Sequence, residues 1–277
     1  MIYPGRIKNK HKKKIKMITE SKQTALITGA SGGIGYEIAK LFATDGINLI
    51  LIARNGDKLN EIKDSFERDY NISVSAIAFD LSEIESLPQI IELINKENVS
   101  IDYLVNNAGF GLQDTFLNGN VEIYNSMINL NINTLTYLTR TFGEKMIRNG
   151  SGKILNIASI AGFQPDPYFA VYGATKAYVL SFSEAIHKEF ENTGVSVTVL
   201  SPGLTQTGFI ERAEMQGSKM LQAGIMRADL VAKAGYNGMM KGKRHIIPGA
   251  GNKIMAFFTR IFPTSAFKLH LLAKMMK

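Results

Sequence analysis

Residues 24–42 read TALITGASGGIGYEIAKLF: an apolar run from Thr24 to Thr28, a glycine-rich turn through Gly29, Ala30, Ser31, Gly32, Gly33, Ile34 and Gly35, then Ile38, Ala39, Leu41 and Phe42 at helical spacing. The run is short, apolar and bounded by a turn, which suits a strand buried on both faces, and the turn leads straight into an amphipathic helix. Glycines at that place allow a tight reversal and let the backbone approach a pyrophosphate, whose charge is favoured by the amides and dipole of a helix N-terminus. An ordinary strand-to-helix turn is the plain alternative. The strand before and the helix after favour dinucleotide binding.

The same punctuation recurs outward from this stretch. Apolar runs at 48–53, 74–79, 103–106, 153–158, 196–200 and 245–248 alternate with helix-length amphipathic segments. Parallel strands need crossover connections, which are almost always right-handed helices, so the alternation predicts an α/β fold. The expectation is a single doubly wound Rossmann-fold domain, a parallel seven-stranded sheet with helices on both faces. A chain of 277 residues, 45% of them hydrophobic, can bury one such core. No internal repeat or Pro/Gly/Ser linker marks a second domain. The sequence divides into a basic, disordered tail (1–22), the Rossmann-fold domain (23–250) and an apolar, basic helical extension (251–277).

The net charge of +8 is unevenly spread. Arg6, Lys8, Lys10, Lys12, Lys13, Lys14 and Lys16 precede the first acid, Glu20, leaving 25 basic against 24 acidic residues elsewhere. The body is near neutral, so a specific nucleic-acid partner is not expected; a solvated tail is the plain reading of the lysines, and a weak contact with an anionic membrane surface or nucleic acid the sharper one. No apolar stretch follows them, which argues against a secretory signal, and Met17 offers a second translation start. The absence of cysteine suits a cytoplasmic location and removes thiolate chemistry. His11, His187, His245 and His270 lack metal-ligand spacing, so no metal site is expected.

In the extension, Ile254, Phe257, Phe258 and Ile261 share one helical face, and Pro263 separates them from a second apolar group at 267–276. A pair of core-docking helices is the plain reading. Five basic residues, and no acid after Asp229, leave open an interfacial membrane helix or a lid. Lys253, Arg260 and Lys268 interrupt the stretch too often for a transmembrane span. The irregular stretch 204–226 follows the sixth strand, where open α/β sheets bind ligands, and its Met215, Met220, Leu221, Ile225 and Met226 fit either a hydrophobic substrate or the core.

The chemistry-bearing constellation is Ser159 followed by Tyr172-Gly173-Ala174-Thr175-Lys176. Tyrosine and lysine four apart on a helix share a face, so the ammonium can lie beneath the phenol. At an effective dielectric of about 20, a charge roughly 4 Å away is worth about 4 kcal/mol, an upper-end equivalent of roughly three pKa units. That would bring a phenol towards the pH at which proton transfer is most effective. Tyr172 is thus expected as general acid/base, Lys176 as the group that depresses its pKa, and Ser159 as a hydrogen-bond partner of the substrate oxygen. At the end of the second strand, an acid would bind the ribose 2′-hydroxyl of NAD. Here Ala53 and Arg54 stand instead, and an arginine attracts the 2′-phosphate of NADP(H).

These motifs, in this order from about Thr24 to Pro248, resemble those of the short-chain dehydrogenase/reductase family, NADP-preferring type. Its Thr-Gly-x-x-x-Gly-x-Gly turn corresponds to Thr28, Gly29, Gly33 and Gly35 here, with Ser31 and Ile34 inside it. The resemblance implies that Asn107, Ala108 and Gly109, following Asn106, steady the cofactor-binding sheet. It also implies that Asp80 and Leu81 contact the adenine, with helix capping as another role for Asp80. Pro202, Gly203 and Thr207 would lie near the nicotinamide carboxamide, and Lys176 would also hold the nicotinamide ribose. Asn131, flanked by Asn129 and Asn133, would anchor a water leading protons towards the lysine. The implied activity is reduction of a small carbonyl substrate or oxidation of the alcohol, by a homodimer or homotetramer. Two other classes stay open: a redox-sensing binding protein with little turnover, which loss of Tyr172 or Lys176 would mark, and a membrane-peripheral binding module.

Overall fold

Strands β1 (Thr24–Thr28), β2 (Asn48–Ala53), β3 (Val74–Ala78), β4 (Tyr103–Asn106), β5 (Gly152–Ile157), β6 (Val195–Leu200) and β7 (His245–Ile246) form one sheet. Its order is β3-β2-β1-β4-β5-β6-β7, parallel throughout. This is a computed structural model that describes residues 23–97, 99–213, 224–261 and 274. The basic tail, Met215, Met220, Leu221 and nearly all of the second apolar group of the extension lie outside the described residues.

Helices α1 (Gly33–Thr44), α2 (Gly56–Tyr70), α3 (Leu87–Lys96), α4 (Val121–Ile128), α5 (Leu135–Arg148), α6 (Ala170–Glu189), α7 (Phe209–Arg212), α8 (Ala228–Met240) and α9 (Ala250–Ile261) complete the fold. Successive strand residues point to opposite faces of a sheet, and the two cores follow that alternation. Ala25, Ile27, Leu49 and Leu51 pack with Phe42 of α1, Phe66 of α2 and Met239 of α8. Leu26, Ile50, Ile52 and Leu104 face the other way, onto Ile90 of α3, Phe142 of α5 and Ile186 of α6. Continuous apolar strands are what a sheet covered on both faces requires. The seven-stranded doubly wound domain expected from the sequence is thus observed, with strand ends shifted by a residue or two.

Helix α9 begins at Ala250, and its Asn252 and Met255 line the central cleft. The face carrying Ile254, Phe257, Phe258 and Ile261 is 50–60% exposed instead of core-docked; Ala256 is the buried anchor. No helix among the described residues is long and apolar enough to cross a membrane.

Candidate active site

The strand order reverses between β1 and β4 at the centre of the sheet, and ligands of open α/β sheets bind in the crevice beyond the strand ends at such a switch point. A cleft of about 770 Å³ opens there. At its floor the glycine turn takes left-handed backbone at Gly29 (φ 66°) and Gly33 (φ 55°). A Cβ on Gly29 would come within 2.9 Å of the Ala108 Cα, and one on Gly33 within 2.8 Å of the Thr207 methyl. Helix α1 starts with no side-chain cap and no acid in its first turn, so its amides are free to meet an anion.

The turn is braced from β4. Asn107 Nδ2 donates to the carbonyls of Thr28 and Gly29, each at 3.0 Å, and Thr28 Oγ1 accepts from the amides of Asn107 and Ala108, both at 3.0 Å. Gly29, Ser31, Gly33, Ile34, Arg54, Asp80, Leu81, Asn107, Ala108, Gly109, Pro202, Gly203 and Thr207 all line the cleft. Gly35 does not. It packs behind the turn, where a Cβ would strike the Gly29 carbonyl oxygen and the Asn107 amide, so its role is to bring α1 close to the sheet. Asp80 uses one carboxylate oxygen to hold the loop after β3, accepting from Ser82 N and Oγ; the other stands 3.9 Å from Arg54 Nη1.

Ser159, Tyr172 and Lys176 open onto the same cleft, and all are buried. Ser159 ends the β5 excursion and caps the turn Ile160–Phe163, accepting from Ala161 N at 3.1 Å. Tyr172 and Lys176 project from the first turns of α6. Lys176 Nζ donates to the Ile157 carbonyl at 2.8 Å and stands 5.8 Å from the Tyr172 ring centroid. Burial pushes Tyr172 up to about 12, a hydrogen bond with Ser159 opposes the rise, and the nearby Asp166 adds to it. Lys176 is itself pushed down to about 8 by burial. An ammonium tethered to a backbone carbonyl beside the ring gives the phenolate less support than one directly beneath the hydroxyl.

Asn131 lies in a π-helical segment, Asn129–Thr134, that joins α4 to α5. Wide turns of this kind recur at functional sites. Here the side chain is 1% exposed, donating to the Phe110 carbonyl and Thr175 Oγ1, both at 3.0 Å. Its neighbours Asn129 and Asn133 bond each other near the surface, which singles out Asn131. Instead of lining the cleft, it stands behind Gly109, whose Cβ would sit 2.9 Å from Asn131 Oδ1 and 3.4 Å from Lys176 Nζ.

Several cleft residues carry no signal in the spacing. Phe169 and Phe209 flank Tyr172 with centroid distances of 5.5 and 5.2 Å. Arg212, from the short α7, reaches the cleft, and burial and the like charge of Arg54 hold its guanidinium below the ordinary range. Asp166 also lines the cleft, where burial raises its carboxyl from 3.8 to about 7. The folded chain then holds that proton more tightly than the unfolded chain, so stability falls as pH rises through about 4 to 7. Asp166→Asn removes the penalty. Denaturant titration is expected to show the variant about 1–3 kcal/mol more stable above pH 7, with the difference vanishing near pH 3.

Comparison with known proteins agrees with this layout. The family model for short chain dehydrogenases matches residues 23–217. An uncharacterized oxidoreductase of Staphylococcus epidermidis is 33% identical over 207 residues, 75% of this chain and 88% of the relative. Among solved structures, a short-chain dehydrogenase from Sphingobium yanoikuyae in complex with NADPH is 29% identical, covers 88% of this chain and 98% of its own, and superposes with a TM-score of 0.75. The bulky-bulky ketone specific alcohol dehydrogenase from Comamonas testosteroni is 28% identical, with coverages of 86% and 92% and a TM-score of 0.73. With the glycine turn, the braced β4 and the Ser159–Tyr172–Lys176 group all facing one crevice, and with relatives matched along most of its length, this chain belongs to the short-chain dehydrogenase family of oxidoreductases.

Proposed function

We propose that this oxidoreductase uses NADP(H) to interconvert a carbonyl and the corresponding alcohol on a small, hydrophobic substrate, with Tyr172 exchanging the proton. One observation carries the reading: Ser159, Tyr172 and Lys176 line the same cleft as the glycine turn and Arg54. The residues present fit a dinucleotide, since the uncapped start of α1 suits a pyrophosphate and the left-handed glycines permit its close approach. When bound, the nicotinamide supplies or accepts the hydride.

The chain's own residues handle the proton and the geometry. Tyr172 donates its hydroxyl proton to the carbonyl oxygen in reduction and takes it back in oxidation. Ser159 orients that oxygen by hydrogen bonding. Lys176, held by the Ile157 carbonyl, supplies positive charge beside the ring and a donor for the nicotinamide ribose. Asn131 braces the Phe110 backbone against α6, the position from which an anchored water would serve Lys176. Phe169 and Phe209 present apolar walls, which supports a hydrophobic substrate.

Arg54 and Arg212 place two guanidinium groups at one cleft, an arrangement complementary to an extra phosphate. Arg54→Ala is expected to weaken NADPH binding about 10–100-fold and NADH binding far less, by the worth of one charged hydrogen bond. Parallel titrations by nicotinamide fluorescence check this; an unchanged preference ratio removes Arg54 from the reading, and no binding of either nucleotide by the parent chain removes the reading itself. Assembly as a homodimer or homotetramer belongs to the same proposal, and sedimentation velocity tests it.

A further inference from the structure

Among the described residues, the charged side chains that line the cleft are Arg54, Asp80, Asp166, Lys176 and Arg212. Arg54 and Asp80 stand 3.9 Å apart, and the charge of Arg54 acts on Arg212, which gathers these three near the end of β2. Lys176 is bound to the Ile157 carbonyl. Asp166 is then the acid at the Tyr172 end of the cleft. A Cβ on Gly173, the residue after Tyr172, would lie 3.4 Å from the Asp166 Cβ, and the Asp166 charge reaches the Tyr172 phenol. The rest of that end is aromatic. Where a Cβ on Gly111 would sit, atoms of the Phe209, Tyr172 and Phe169 rings converge at 3.0 to 3.1 Å.

The segment that holds Asp166 is built at some expense to stability. Tyr168 takes left-handed backbone (φ 65°), an unfavourable state for a residue with a Cβ. That turn is held by the Asp166 carbonyl, which accepts from Phe169 N at 3.1 Å, and by the Tyr168 carbonyl, which accepts from Asp114 N at 2.9 Å. It brings both Asp166 and Phe169 to the cleft. Burial raises the Asp166 carboxyl to about 7, and among the described residues only a hydrogen bond with Gln164 opposes the rise. An amide of the same shape would fill the place without that penalty. A wholly apolar ligand would leave the acid desolvated and unmet. An organic ammonium answers both features of this end, since a carboxylate offers it the opposite charge and aromatic faces attract it. A cation brought against the carboxyl also draws it back to the ionised form.

We propose that the substrate is a carbonyl compound carrying a protonated amine, and that Asp166 selects it by pairing with the ammonium while Phe169 and Phe209 enclose the adjoining alkyl groups. The carbonyl meets Ser159 and Tyr172 at the other end of the molecule. This rests on the reading of the cleft as a carbonyl site, and it gives the hydrophobic substrate one cationic end.

Two cyclic ketones matched in shape test this: N-methylpiperidone, whose ring nitrogen takes a proton near neutral pH, and methylcyclohexanone, with carbon in the nitrogen's place. With NADPH, kcat/KM of the parent chain is expected to favour the amine about 10–100-fold, the worth of one charged hydrogen bond, and to do so through KM. Asp166→Asn should bring the ratio to within about threefold of unity. The variant is expected to be at least as stable as the parent at neutral pH, so the change does not come from unfolding. Calorimetric titration with both ketones makes the same comparison without turnover. Binding of the amine by the parent and its loss in Asp166→Asn, with neither ketone reduced, upholds the ammonium site and removes the carbonyl reading instead. Equal affinity of the parent for the two ketones, no binding of either, or an amine preference that survives in Asp166→Asn overturns the proposal. So does a variant less stable than the parent at neutral pH, which would reveal an ion pair already holding the carboxylate.

Discussion

Tyr172→Phe is expected to bind NADPH as the parent chain does and to reduce a carbonyl substrate about 10²–10⁴-fold more slowly. The substitution removes one oxygen and leaves the ring in place between Phe169 and Phe209, so the cleft keeps its shape. Lys176 keeps its bond to the Ile157 carbonyl, and with it whatever it contributes to the nucleotide. Only the proton donor and the Ser159 contact are lost.

The direction of the pKa shift adds a pH signature. A phenol raised to about 12 by burial remains protonated through neutral pH and well beyond it. Reduction, which needs the protonated form, should be nearly level from mildly acidic to mildly alkaline pH as far as Tyr172 is concerned. Oxidation needs the phenolate and should climb with pH across the alkaline range. The Phe variant should lose that climb along with its rate. Single-turnover kinetics in both directions supply the check, and parental turnover in the variant would take the proton transfer away from Tyr172.

Gly35→Ala is expected to destabilise the fold by about 2–4 kcal/mol and to abolish measurable nucleotide binding. The new Cβ would meet the Gly29 carbonyl oxygen, with the carbonyl carbon at 3.0 Å, and the Asn107 side chain that braces the turn. Neither can give way cheaply, because Gly29 is held in left-handed backbone and Asn107 Nδ2 bonds two carbonyls at once. For a chain of this size the loss corresponds to a fall in thermal midpoint of roughly 5–15 °C. Gly32→Ala makes the internal control: a Cβ there meets nothing within 4 Å, and its stability should stay within about 0.5 kcal/mol of the parent. Two equally affected variants in thermal unfolding would mean that the close approach of α1 to the turn is not what Gly35 provides.

That contrast shows how differently the sequence speaks at different levels. The seven strands were legible because a strand covered on both faces must be apolar along its whole length, and the runs beginning at Thr24, Asn48 and Tyr103 have the observed starts and ends. The last strand was read two residues too long, since Pro248 and Ile247 continue an apolar run after the pairing with β6 has ended. In the cleft, the lettered turn and the Ser159–Tyr172–Lys176 order were legible because chemistry restricts which side chains can serve there. Asn131 was set apart from Asn129 and Asn133 by the resemblance, and its burial and its bonds to Phe110 and Thr175 set it apart in the fold as well.

By its own order of residues the sequence determined the doubly wound sheet, the position of the nucleotide turn and the group facing it, because periodicity and short motifs are local properties of a chain. Tertiary structure alone decided which turn glycine sits against a carbonyl, that burial pushes the Tyr172 phenol up, that Phe169, Phe209 and Arg212 share the cleft, and that the apolar stripe of α9 faces outward. Each of these depends on distances and desolvation between residues far apart in the chain, and neither quantity exists until the segments have packed.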